Sequence, residues 1–382
     1  MRIGIDARMV YYTGAGIGQY IRRLVTGLAK VVTDDEIILL QSRKDEPVPV
    51  EGAPFSWRPL WTPGHNRWEQ LSLPLELLPL GLDLLHSTDH IPPMRRMYRS
   101  VVTVHDLAFL RFPHFLTRDS ARYYGQIDEA MRKTDHVIAV SEATKQDMVL
   151  LLGVNANKIT VIHEAADPIF RVVRDDAALT EMRHKYQLPG PYILFVSTIE
   201  PRKNLPTLLR VFHSLRDMEV AEGSEGRGAD ARVPLTLVAV GKRGWLDEDV
   251  FRVADELELG NRARFLGRVP QEDLLRLYNG AAVFVQPSLY EGFGLPPLEA
   301  MSCGAPVIVS DAASLPEVVG DAGLKVPPQD QLLWAEALRL VLQDPDRRTG
   351  MMRRGLEQAK RFSLDRMARE TLEVYHKVGM LR

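Results

Sequence analysis

Short apolar runs alternate with helical patterns along the whole chain, and this alternation limits the fold more than any other feature. In the first half the runs are Arg2–Asp6, Glu36–Leu40, Asp83–His86, Val101–Asp106, His136–Ser141 and Ile159–Ile162. In the second half they are Tyr192–Val196, Leu235–Val240, Arg264–Val269, Ala281–Val285 and Val307–Ser310. Near-continuous Val, Ile and Leu runs, rather than polar–apolar alternation, belong to strands buried on both faces. Helices between such strands put parallel neighbours in register, so the pattern predicts an α/β chain of two doubly wound parallel sheets.

The chain has 382 residues, enough for two ordinary domains. The boundary is expected near Asp167-Pro168, giving residues 1–167, 168–362 and a last helix in 363–382 capped by Ser363. Residues 47–63 are proline-rich and read as extended or looped. Residues 66–78 and 120–133 read as one helix each, and 142–152 as a helix with Ser141 as N-cap. Residues 219–232 are poor in apolar side chains and read as a flexible surface loop.

Net charge is −2, and acidic and basic residues balance within the first domain, so nothing calls for a nucleic-acid partner. Arg95, Arg96 and Arg99 read as solvated surface. The single cysteine, Cys303, excludes an internal disulfide and reads as buried packing. The chain opens directly on a strand, without the basic flank and apolar core of a secretion signal. The longest apolar candidate, residues 71–85, is broken by Pro74, Glu76, Pro79 and Asp83. A cytoplasmic protein is expected, with room for peripheral attachment to a membrane.

The most specific stretch is Pro287–Pro306. An apolar strand delivers Gly292 and Gly294 onto a helix whose first turn accommodates Pro296 and Pro297. Such a loop brings backbone N–H groups and a positive dipole end to an anion. Glu291 and Glu299 bracket the turn, and carboxylates accept hydrogen bonds from sugar and ribose hydroxyls. A phosphate cradle with two hydroxyl clamps suits a nucleotide sugar; the alternative is an ordinary capped helix start. Gly14, Gly16 and Gly18 are spaced Gly-x-Gly-x-Gly, a weak match to the dinucleotide fingerprint that a plain tight turn also explains. His105 stands at the end of a strand, where open parallel sheets bind ligands. Arg202 and Lys203 precede a helix, where the dipole disfavours cations. They point either to an anionic partner or to a surface pair with Glu200 or Asp217. Two Asp-x-Asp strings, Asp247–Asp249 and Asp344–Asp346, are the obvious candidates for a hard cation. Neither follows a strand directly, and both suit helix starts.

The Pro287–Pro306 string, with its glutamates separated by seven residues, resembles the donor segment of retaining GT-B glycosyltransferases of family 4. The start Arg2–Arg8, Thr103–Leu107, Gly241–Trp245 and Ser314–Val318 look most like the mannosyltransferase-B-like branch. The family usually shows a glycine where this chain has Ala165-Ala166. The resemblance covers nearly the whole chain. It implies two Rossmann-like domains facing a cleft, the second holding the donor, and a last helix that crosses back to the first. It also implies His105, Arg202, Lys203 and Glu291 as catalytic residues. Donor contacts would come from Gly14, Gly16, Thr198, Arg202, Lys203, Gly241, Lys242, Val269 and Tyr290, together with Glu291–Leu295 (through Gly292, Phe293, Gly294 and Leu295) and Glu299. It implies a sugar nucleotide as donor, with GDP-mannose favoured, a glycan or lipid-linked glycan as acceptor, no cofactor and no metal. A sugar-nucleotide epimerase of the same fold and a non-catalytic sugar-nucleotide binder remain as alternatives.

Overall fold

The computed structural model describes residues 1–12, 16–46, 55–66, 68–113, 118–215, 219–221, 232–244 and 247–380; for 118–120, 219–221 and 232–233 only the backbone is described. Two units divide the chain: Met1–Ala165 with Phe362–Arg382, and Ala166–Arg361.

The first unit is built on β1 (Arg2–Asp6), β2 (Glu36–Ser42), β3 (Phe55–Leu60), β4 (Leu84–Ser87), β5 (Arg99–Val104), β6 (His136–Ala139) and β7 (Ile159–Val161). They form one parallel sheet in the order β3-β2-β1-β4-β5-β6-β7. Ile3 of β1 pairs with Ile37 on one side and Leu84 on the other, so the strand order reverses at β1. β4 and β6 are buried at every position, as strands covered on both faces must be. The proline-rich segment contains β3, in keeping with the extended reading of these residues. It pairs with β2 alone and sits at the sheet edge, where Pro59 is tolerated. The single helix expected over 120–133 is two, Arg118–Tyr124 and Ile127–Lys133, interrupted near Gly125.

The last helix, Leu364–Gly379, packs its apolar face into the core of this unit beside Ile17–Val31. Gly27 permits the close approach: a Cβ there would lie 2.7 Å from the Leu364 carbonyl oxygen. His86 Nδ1 hydrogen-bonds to Tyr375 Oη at 2.6 Å and His86 Nε2 to Thr103 Oγ1 at 2.7 Å, a buried polar link between helix and sheet. Burial, with the nearby His105 charge, pushes the His86 pKa down to about 3.

The second unit contains β8 (Tyr192–Val196), β9 (Glu219–Ala221), β10 (Arg232–Pro234), β11 (Thr236–Val240), β12 (Ala263–Gly267), β13 (Val283–Gln286), β14 (Val307–Ser310) and β15 (Leu324–Val326). Its main sheet is parallel, ordered β12-β11-β8-β13-β14-β15, and reverses between β8 and β13. The ends of the expected 219–232 loop form instead an antiparallel pair, β9 with β10. Phe195, Phe212, Val283, Ile308, Trp334 and Leu338 lie in one continuous core of this unit. Ser141 and Ser363 cap their helices as expected, accepting from the Thr144 and Arg366 N–H groups. Cys303 is buried, and burial followed by the Glu299 charge raises its thiol pKa far above the ordinary value, which suits packing and not nucleophilic attack.

Candidate active site

In the second unit the loops that leave the C-terminal ends of β8 and β13 flank the point where the strand order reverses, the position at which open α/β sheets bind ligands, and the loop after β11 adjoins them. The β8 loop runs through a short turn, Pro201–Lys203, into the helix Leu205–Leu215. Asn204 adopts φ 58° between them. Its side-chain amide donates to the Pro287 carbonyl at 3.0 Å, and Leu289 N–H donates to the Arg202 carbonyl at 2.8 Å. The β8 and β13 loops are thereby locked together.

The β11 loop is held as tightly. Ile199 N–H donates to the Lys242 carbonyl at 2.9 Å, and Gly241 N–H to the Gly267 carbonyl at 2.8 Å. Gly241 has φ 144°, and a Cβ there would fall 1.7 Å from the Ser197 carbonyl oxygen, so only glycine fits. Thr198 is half-buried and Lys242 exposed on these adjoining loops; Val269 follows Gly267, half-buried, before the helix Gln271–Gly280.

Arg202, Lys203 and Glu291 form one network, although Lys203 and Glu291 stand 88 positions apart. Lys203 Nζ donates to both Glu291 carboxylate oxygens at 2.7 Å. Gln286 Nε2 (2.8 Å) and Ser288 Oγ (2.7 Å) also donate to Glu291 Oε1. Arg202 Nε pairs with Glu200 at 2.6 Å, and its Nη1 donates to the Tyr290 carbonyl at 3.3 Å, 3.5 Å from Glu291 Oε2. Burial opposes the Glu291 charge, but Lys203 and then Arg202 outweigh it and hold the carboxyl below its ordinary pKa.

Of the partners considered for Arg202 and Lys203, Glu200 pairs with Arg202; Lys203 is buried rather than on the surface, and pairs with Glu291. Asp217 lies outside the described residues. Glu291, expected to hold sugar hydroxyls, also receives groups of its own unit: Lys203, Gln286 and Ser288 crowd Oε1, while Oε2 takes Lys203 with Arg202 at 3.5 Å. The carboxylate thereby holds two of the three Lys203 N–H groups.

Gly294, at φ 122°, opens the helix Leu295–Ser302, with prolines in its first turn as expected. Ser314 Oγ donates to the carbonyls of Glu291 (2.9 Å) and Phe293 (2.5 Å) and fixes the turn through Gly292 from outside. Tyr290 and Phe293 are buried under it, and Leu295 is half-buried. Glu299 is buried in the same helix and accepts from Tyr278 Oη at 3.1 Å. Both Asp-x-Asp strings lie at helix starts: Asp344 caps its helix by accepting from Arg347 N–H at 2.8 Å, whereas the Asp247 side chain pairs with Arg243 at 2.6 Å.

In the first unit the C-terminal strand ends carry a separate polar cluster. His105 Nε2 meets the Thr88 carbonyl at 2.9 Å, and its Nδ1 meets Glu164 at 3.2 Å. The neighbouring Asp106 carboxylate accepts from Ala108 N–H at 3.0 Å. Asp89 lies between His90 and His65 and bonds to both. Burial works against the Asp89 charge, yet His90 and His65 hold its pKa well below the carboxylate range; Asp89 in turn raises that of His90 against the pull of burial. Gly16 has φ 57° at the start of the helix Ile17–Val31, so its conformation, not crowding, selects glycine. Gly14 lies outside the described residues.

Sequence reading missed Gln286, Ser288, Ser314, Glu164 and Asp89. Ser288 lies three residues before Glu291 in the same loop, a spacing that a search for local carboxylate partners would find. Glu164 reaches His105 across 59 positions and leaves no local signal.

Two doubly wound parallel sheets, the second carrying a basic loop beside a glycine-opened helix, define a GT-B transferase fold. The family model for glycosyl transferases group 1 matches residues 180–358, and that for glycosyltransferase family 4 matches residues 14–169. The chain is 36% identical over 282 residues to O-antigen chain mannosyltransferase B of Escherichia coli, covering 73% of this chain and 71% of that protein. It is 28% identical over 337 residues to a serotype-specific mannosyltransferase of Escherichia coli, covering 84% of this chain but only 40% of that longer protein. A solved sucrose-phosphate synthase from Thermosynechococcus elongatus superposes with TM-score 0.76 at 21% identity, covering 99% of this chain and 98% of that one. The chain belongs to the group 1 and family 4 glycosyltransferases and is a hexosyltransferase.

Proposed function

We propose that this enzyme transfers mannose from GDP-mannose to a glycan or lipid-linked glycan acceptor in surface polysaccharide synthesis, with retention of anomeric configuration and without a divalent metal. The observation that carries the reading is the Arg202–Lys203–Glu291 network beside the helix opened by Gly294. Similarity to mannosyltransferases supports the choice of sugar.

In this reading the helix N-terminus and the loop Gly292–Leu295 receive the diphosphate, where backbone N–H groups and the dipole favour negative charge. Arg202 and the third Lys203 N–H offset the charge that develops on the leaving phosphate, a contribution that often dominates transfer chemistry. Glu291 keeps both cations placed before the donor arrives, so no reorganisation is needed during reaction. Glu299 accepts from the ribose. The cationic loop supplies the charge stabilisation that a divalent ion supplies elsewhere.

The test has two arms. A thermal-shift panel of GDP, UDP and ADP sugars identifies the donor, because a ligand that binds the folded state raises the melting point. Radiolabelled GDP-mannose with lipid-linked acceptors, after exhaustive EDTA treatment, then reports transfer, and NMR of the product gives the anomer. Activity lost with EDTA and restored by manganese overturns the metal-independent reading. An inverted anomer overturns retention.

A further inference from the structure

The helix Glu69–Leu77 buries Leu73 and Leu77 against Ile38, Leu40 and Leu85 of the sheet. Its outer side is also apolar. Trp68, Leu71, Leu75 and Leu78 recur at helical spacing and are 56%, 56%, 71% and 59% exposed. The stripe extends about 15 Å, at 1.5 Å per residue. Single exposed leucines are ordinary, but a contiguous stripe is not.

Both flanks add to it. On one, Glu76 accepts the Trp61 and Thr62 N–H groups at 2.5 and 3.1 Å, which places Trp61, 71% exposed, beside the helix; the Arg43 guanidinium lies 3.7 Å over its ring. On the other, Gln70 binds the Pro92 carbonyl and the Met94 N–H at 3.1 and 2.9 Å, bringing up the loop that bears exposed Arg95 and Met97. The two carboxylates of the helix are turned to internal partners: Glu69 is buried against Arg8 at 2.5 Å, and Glu76 holds the backbone just described. The outer face therefore presents tryptophan and leucine with arginines at the rim and no helix carboxylate.

We propose that this face docks on an anionic lipid bilayer, with the stripe and Trp61 in the headgroup–acyl boundary and Arg43 and Arg95 on lipid phosphates. Tryptophan favours that boundary because its ring is amphipathic, and arginines near the surface gain from anionic headgroups. The inference stands on this surface alone and is independent of the donor assignment.

The experiment is co-sedimentation of the full chain with phosphatidylcholine vesicles, with and without phosphatidylglycerol, at low and high salt. The wild type should pellet with the anionic vesicles, more weakly at high salt, and its tryptophan emission should shift to the blue. Leu71→Glu with Leu75→Glu should lower partitioning by more than about tenfold, the scale set by burying a leucine side chain. Arg43→Glu with Arg95→Glu should lower it on anionic vesicles alone. Both leucines are exposed, so the fold should persist by circular dichroism; Leu75→Gln serves if the double variant fails to fold. A wild type that stays in the supernatant with all vesicles overturns the proposal, as does a leucine variant that partitions like wild type. Concentration-dependent dimerisation abolished by the leucine variant, with vesicle partitioning unchanged, would assign the face to a second copy instead.

Discussion

Replacing Glu291 by glutamine tests the central claim about the site, that this carboxylate exists to hold Lys203. The change keeps the shape and removes the charge. One oxygen that receives Lys203, Gln286 and Ser288 at 2.7–2.8 Å, or the other that faces Lys203 and Arg202, becomes an amide NH2 pointing at donors. Lys203 is left as a buried cation without its counter-charge. Breaking one side of a buried pair costs about 3–5 kcal/mol. For a unit of this size, about 4 kcal/mol lowers the melting temperature by roughly 8–16 °C. Urea unfolding of wild type, Glu291→Gln, Lys203→Met and the double variant forms the appropriate cycle. The double variant removes both charges, so it should be less destabilised than the sum of the single changes, with a coupling above about 2 kcal/mol. Glu291→Gln within about 1 kcal/mol of wild type, or strict additivity in the cycle, would refute the pairing argument. Because the Glu291 pKa is depressed on folding, its contribution is present above the unfolded value of about 4.3 and is lost as pH falls through the folded value.

Three further outcomes are expected. Gly241→Ala puts a Cβ 1.7 Å from a backbone oxygen and should cost more than about 3 kcal/mol in chemical denaturation; wild-type stability would show that the β11 loop can move aside. His86 has a folded pKa of about 3 against about 6.5 unfolded, so its effect on stability is nil above pH 6.5 and increasingly unfavourable as pH falls toward 3, at most about 1.4 kcal/mol per pH unit; His86→Gln should flatten the melting-temperature profile between about pH 6.5 and 4.5, and an unchanged slope would count against a neutral buried ring. Arg202→Ala should lower kcat by about 10² with intact folding, whereas Glu299→Ala should raise KM for the sugar nucleotide more than it lowers kcat; steady-state kinetics separates the two, and wild-type values in both would remove these residues from the site.

What the amino-acid sequence determined by itself is what neighbouring residues decide. Tyr192–Val196 and Val307–Ser310 are strands at the expected residues because unbroken aliphatic runs have one stable use in an α/β chain. Ser141 and Ser363 start helices because their hydroxyls reach N–H groups three residues on. Gly294 followed by prolines announces a helix start for the same local reason. The tertiary structure alone decided the rest. β3 has no buried face of its own and forms because the β2 edge is there to pair with it. The helix stripe from Trp68 to Leu78 reads from sequence as an ordinary helix with uncertain ends; only the position of the sheet shows which leucines are covered and which are left outside. Lys203 meets Glu291 across 88 positions, His105 meets Glu164 across 59, and Tyr375 meets His86 across 289. Their spacing along the chain carries no trace of these contacts. Residue types can suggest that a carboxylate and an ammonium belong to one site, but whether the carboxylate faces a ligand or its own lysine depends on which loops the strand order brings together.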